Sequence, residues 1–319
     1  MSEKESVENI AIKNSIYAID KEAQYDKEAK EILSNKNILA YLLVHTVEEF
    51  YGMNPAEAVA YIEEEIYVGS VPTEPGMTNI KVIKTGDKIT GLNTENSEKN
   101  EGVIYFDILF YARTRDRKSK IIIDVEIQKD EPASYHIINR AVFYVSRQVS
   151  AQKEREFTKS QYNDLKQVYS IWVCLNQKED SLQHIQFAKK ELKGKQNWKG
   201  EMKIPNIVMI GLSKELPIQK KENSIHRLLG TLFSDNLSAE EKIRILKNEY
   251  HIPMEEKVKG GLYIMCNLSQ GIKEKGRLEG EERSMSLIEK LIDSGRIEDC
   301  QRVTKDTAYR RQLMQELGI

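Results

Sequence analysis

Cysteine, proline and glycine are all scarce in this chain, and each scarcity excludes a class of protein. Three cysteines, Cys174, Cys266 and Cys300, stand far apart in 319 residues with no C-x-x-C spacing. An odd, sparse count builds neither a disulfide scaffold nor a zinc finger and fits a reducing compartment. The 7 prolines and 17 glycines are too few for a disordered or collagen-like chain. Long apolar runs are missing too. The longest, at 38–44 and 168–175, fall far short of the roughly 20 residues that span a bilayer, and Ser170 interrupts the second. The five histidines, at 45, 136, 184, 226 and 251, include no H-x-x-x-H pair, which speaks against a zinc site. Phosphate-loop, dinucleotide-binding and G-x-S-x-G motifs are absent as well.

Charge of one sign is also lacking. The 48 Lys+Arg and 50 Asp+Glu leave a net charge of −2, which excludes a histone-like binder but leaves room for a local basic surface. What is present is core material, 40% hydrophobic residues beside 31% charged. The polar opening lacks a signal-type apolar stretch, so the chain is expected to be cytoplasmic and free of the membrane.

Three regions are expected: a polar lead at 1–24, a core at 25–215 and a helical region at 216–319. Apolar spacing predicts a helix over 37–51 and a second from Pro55 to about residue 67. A loop at 69–79 and a short strand at 80–83 follow. Strict alternation predicts strands over 103–111 and 120–128. A helix over 137–152 and buried strands at 168–175 and 204–211 complete an α/β core, a mixed central sheet flanked by helices. Ser238 and Glu241 form a capping-box signature ahead of the C-terminal helices. The stretch 273–282 reads as exposed helix or linker.

The two alternating strands fix a register. Antiparallel pairing keeps the sum of paired residue numbers constant. Both apolar rows share one face only if that sum is odd. The linker between them, centred between residues 116 and 117, sets the sum near 233 and places Asp107 across from Glu126. Asp124 and Gln128 flank Glu126 on the same face. Carboxylates so close are costly unless a cation, a shared proton or a basic side chain sits between them. Mg2+ suits hard oxygen donors; a solvated polar face is the plain alternative.

With its 18-residue gap between Asp107 and Glu126-Ile127-Gln128, this hairpin resembles the active-site hairpin of the PD-(D/E)XK nuclease superfamily. The wider pattern is similar to its transposase branch, relatives of the recombination-promoting nucleases. The matching stretches are 38–50, GVIYFDILFYA at 102–112, IDVEIQK at 123–129, RAVFYVSRQVSAQ at 140–152 and 168–175. The resemblance implies a restriction-endonuclease-like core and metal-dependent cleavage of a DNA phosphodiester by water. It makes Asp107 and Glu126 ligands of Mg2+, with Mn2+ able to substitute, and adds the main-chain carbonyl of Ile127. A helix carboxylate, Glu49 or Glu48, would complete the set. Gln128 takes the catalytic position that the superfamily name gives to Lys, and an amide can only orient or coordinate. Lys129, the next residue, is turned to the other face by strand alternation.

Arg147 and Gln148 resemble positions from which the superfamily contacts the substrate phosphate, and Arg140, seven residues before Arg147 on a similar face, is a further candidate for DNA contact. Arg113, Arg115, Arg117, Lys118 and Lys120 in the linker, with Lys129, are further candidates for gripping a DNA backbone. Tyr135, Phe143 and Tyr144 are read as core or groove wall. The C-terminal helices offer amphipathic stripes that fit a homo-oligomer, packing on the core, or DNA contact. Two rivals stand beside the DNA nuclease: a DNA-binding or interaction module without turnover, and a nuclease that cuts RNA.

Overall fold

The computed structural model describes residues 21–69 and 107–318; the expected loop and short strand over 70–83 lie outside them. Its contacts divide into two compact units, one of residues 27–263 and one that includes 264–318. The first therefore runs past residue 215, where the composition changes, and takes in the next two helices.

Helix α1 (21–33) leads to α2 (Lys36–Thr46), which Asn35 caps by accepting a hydrogen bond from the Asn37 amide. The expected helix over 37–51 breaks at Val47 into a separate 3-10 turn, Glu48–Phe50. The larger correction is at 55–67. Helix α3 lasts only from Pro55 to Ala58, and a 3-10 turn carries the chain into strand β1 (Ile62–Val68). Glu63, Glu64 and Glu65 favour helix locally, but pairing overrides propensity here. β1 lies antiparallel to β2 (Ile108–Arg113), and Glu63 is held by Arg113 at 2.9 Å and Lys120 at 3.1 Å.

β2 pairs antiparallel with β3 (Lys120–Gln128) in the register Ile108↔Val125, Leu109↔Asp124 and Phe110↔Ile123. Each pair sums to 233, so alternation and linker length alone located the partners. Helix α4 (Ile137–Ser150) then returns the chain so that β4 (Val168–Gln177) runs parallel to β3. β5 (Ser181–Gln186), which periodicity did not reveal, is the edge strand beside β6 (Pro205–Ser213). The sheet order is β1-β2-β3-β4-β6-β5. One face buries Ile108, Phe110, Ile121, Ile123 and Val125. The other packs Leu109, Ile122, Val168 and Trp172 against Ala141, Tyr144 and Val145 of α4.

Helices α5 (Ser224–Phe233) and α6 (Ala239–Tyr250) follow, α6 closed by the Ser238–Glu241 capping box. Then α7 (Glu256–Asp293) is unbroken through 273–282, and α8 (Ile297–Lys305) and α9 (Thr307–Leu317) bury Val303 and Leu313 against Leu287 and Leu291. Among the described residues no helix is long and apolar enough to cross a membrane.

One histidine ties stability to pH. His45 lies 2.7 Å through Nδ1 from the Tyr41 carbonyl. A carbonyl cannot donate, so Nδ1 carries the proton. Burial pushes the ring below its ordinary value, and nearby His226 adds to this. The unfolded chain therefore takes up a proton that the folded one refuses, and stability falls as pH drops below about 6.5. Urea unfolding at pH 7.5 and 5.5 should show this loss, with a shallower pH dependence for His45→Gln. Equal pH dependence in both proteins would remove His45 as its source.

Candidate active site at the end of the hairpin

The register places Asp107 at the head of β2 facing Glu126, and backbone hydrogen bonds lock the two together. The Asp107 amide donates to Glu126 Oε1 at 3.1 Å, and the Ile127 amide donates to Asp107 Oδ2 at 3.0 Å. Each carboxylate thus keeps its second oxygen for something else. Asp107 Oδ1 meets Lys30 Nζ of α1 at 2.8 Å, and Glu126 Oε2 faces Arg140 Nη2 of α4 at 3.7 Å.

Arg140 is itself held from several sides. It donates to the Tyr144 hydroxyl at 2.8 Å, to the Tyr135 hydroxyl at 3.2 Å and to Gln128 Oε1 at 3.3 Å. Its guanidinium lies over the rings of Tyr144 and Trp172, at 4.9 and 5.4 Å. Gln128 donates through Nε2 to the Asp130 carbonyl, so both ends of its amide are engaged.

The electrostatics are strained. Glu126 is 2% exposed. Burial, then the charges of Asp107 and Asp124, push its carboxyl well above the usual carboxylate range. Asp124 is fully buried and pushed up to about 8 by burial, against the Ser170 hydroxyl that donates to its Oδ2 at 2.9 Å. Trp172 Nε1 donates in turn to Ser170 Oγ at 2.9 Å. Asp124 Oδ1 has no hydrogen-bond partner among the described residues.

Several expected residues sit elsewhere. Glu49 meets the Tyr169 hydroxyl at 3.5 Å. Tyr169 pairs with Ile123, whose side chain leaves the sheet on the face opposite Glu126, so Glu49 does not join the pair. Glu48 is bound to Lys203 and Gln186. Gln148 is fully buried, with neither amide atom partnered among the described residues. Lys129 follows the end of β3 and is exposed.

The linker cations lie at the far end of the strands, six residues or roughly 20 Å from Glu126. They are engaged there: Arg113 and Lys120 on Glu63, Arg115 on the Tyr51 carbonyl at 2.8 Å, Arg117 over the Tyr61 ring. The Lys118 amide donates to Asp116 in the turn. Arg147 stands seven residues along α4 from Arg140, stacked on Phe143 at 4.7 Å, so both arginines occupy one flank of that helix.

Lys30, Ser170 and Trp172 are the site residues that sequence reasoning passed over. Ser170 carried a signal, a lone hydroxyl inside an apolar strand. Lys30 carried none, because 77 positions separate it from Asp107. Among the described residues no group of three or more His, Cys, Asp or Glu side chains gathers to hold a metal ion. The two carboxylates and the Ile127 carbonyl nonetheless fit a hydrated Mg2+ or Mn2+ in kind. Such ions use one or two carboxylates and fill their shell with water and phosphate. The unfavourable crowding of Glu126 is relieved by added positive charge. No family model, curated protein or solved structure matches this chain.

Proposed function

We propose that the chain is a divalent-metal-dependent endonuclease that hydrolyses DNA phosphodiesters, related in chemistry to the PD-(D/E)XK transposase branch that its hairpin resembles. The observation that carries this is the Asp107–Glu126 pair. Two carboxylates are interlocked through backbone amides, one of them, Glu126, is buried against its charge, and cations from two different helices face the pair.

Asp107, Glu126 and the Ile127 carbonyl would hold the ion. When bound, it supplies a more acidic water and charge stabilisation on the phosphate. The chain's own residues do the rest. Hydrogen bonds from the Asp107 and Ile127 amides fix both carboxylates in place. Arg140, immobilised by Tyr135, Tyr144 and Gln128, presents a guanidinium at the edge of the pair, suited to a phosphate oxygen. Lys30 places in space the ammonium that position 128 lacks in sequence, beside Asp107, where it can stabilise developing negative charge.

Plasmid nicking with Mg2+, with EDTA, and by Asp107→Ala protein tests the proposal. Metal-dependent cutting lost in the variant supports it, and cutting that survives the substitution sinks it. Matched RNA substrates decide the nucleic acid. Lys30→Met should lower the cleavage rate about 10²-fold while leaving DNA affinity within a factor of about 3. An unchanged rate would reduce Lys30 to a structural ion pair.

The second reading, a binding module without turnover, rests on the same cations. Lys30 meets Asp107 at 2.8 Å and Arg140 faces Glu126 at 3.7 Å, so the protein itself supplies positive charge at the pair. Intact DNA binding with neither cutting nor a thermal shift by Mg2+ would favour it.

A further inference from the structure

The connection between β5 and β6 is conspicuously long and conspicuously bare. Residues 187–204 contain no helix or strand, and every residue from 187 to 203 is exposed. Connections of this length inside a compact unit are uncommon, and are either functional or linker segments. Six lysines and two glutamates occupy it. Two of the lysines are engaged, Lys203 on Glu48 and Lys189 near Glu191 at 3.8 Å and the Gln196 carbonyl at 3.3 Å. Lys190, Lys193, Lys195 and Lys199 make no side-chain hydrogen bond or ion pair among the described residues. Large apolar groups stand open beside these cations: Phe187 ahead of them at 67% exposure, Leu192 between Lys190 and Lys193 at 86%, and Trp198 between Lys195 and Lys199 at 79%. An aromatic ring left so open in a folded unit is an unpartnered contact surface.

We infer that the 187–204 loop is a binding surface for single-stranded nucleic acid, with Trp198 stacking on a base and the free lysines tracking the phosphates. Cations set on both sides of an exposed indole match a strand that carries one charge and one flat base per nucleotide. A lipid surface is the poorer match, because interfacial anchoring relies on a helix that segregates its apolar and basic faces, and the loop has no helix. The loop leaves the sheet where β6 begins at Pro205, beside Val168 at the start of β4. The Asp107–Glu126 pair lies toward the other strand ends, so this surface stands independently of the cleavage proposal.

The experiment uses the full chain in EDTA, so that binding is read without metal-dependent cutting. The chain has two tryptophans, and Trp172 is fully buried, so quenching of the exposed emission reports Trp198 alone. An oligothymidylate should quench that emission more strongly than a duplex of equal length. By anisotropy of a labelled oligothymidylate, Trp198→Ala should weaken binding about tenfold. Replacing Lys193, Lys195 and Lys199 with Gln should lower the salt slope by about 2. Circular dichroism of both variants should match the parent, since the substituted side chains are exposed. Unchanged affinity and salt slope in the two variants would overturn the inference. So would emission that responds to phosphatidylserine vesicles and not to the oligonucleotide.

Discussion

Glu126→Gln should sharply slow metal-dependent cutting and at the same time raise the melting temperature. The amide keeps an oxygen for the Asp107 amide, so the hairpin lock survives. What disappears is a negative charge that burial and two neighbouring carboxylates oppose. The sign follows from linkage. A carboxyl raised above its unfolded value favours the fold most at low pH, and that stability is lost as pH rises above about 4.3 toward the folded value. At pH 7.5 the variant should therefore be the more stable protein, seen as a higher melting temperature in EDTA. Cleavage should fall by about 10²–10³-fold. The parent should also gain stability from Mg2+ by mass action, and the variant should not. A variant that is less stable than the parent and equally active would show that Glu126 holds the fold together and has no part in chemistry.

Trp172→Ala carries the largest expected stability loss, about 3–5 kcal/mol. Its side chain is fully buried, packs edge-on against Tyr144 at 5.4 Å, and lies beneath the Arg140 guanidinium. It also donates to Ser170, which donates to Asp124. Truncation opens a cavity and leaves buried polar groups short of a partner. Trp172→Phe restores most of the volume but not the hydrogen bond, so it should fall between the parent and Ala. Urea midpoints at constant m-value measure both. A loss under 1 kcal/mol for Trp172→Ala would mean that α4 and the sheet are held by other contacts.

The hairpin was the legible part of the site. Alternation in two strands and the length of one linker sufficed to put Asp107 opposite Glu126, because register in a sheet with a buried face tolerates no one-residue slip. The strand at 62–68 was illegible for the opposite reason. Three successive glutamates favour helix, and the partners that make them a strand, Arg113 and Lys120 on the neighbouring strands, lie about 50 residues away. The edge strand 181–186 failed to show because a sheet edge half-exposed to water carries little apolar periodicity.

By itself the sequence determined the α/β class, the register of the hairpin, and which two carboxylates oppose each other. All of these follow from side-chain period and chain connectivity over short distances. Tertiary structure alone decided what answers their charge. Lys30 reaches Asp107 and Arg140 reaches Glu126 from separate helices, Gln148 is sealed from solvent, and Glu49 is left on the wrong face of the sheet. Long-range packing sets those outcomes, and packing depends on how layers meet in three dimensions, which no local period encodes.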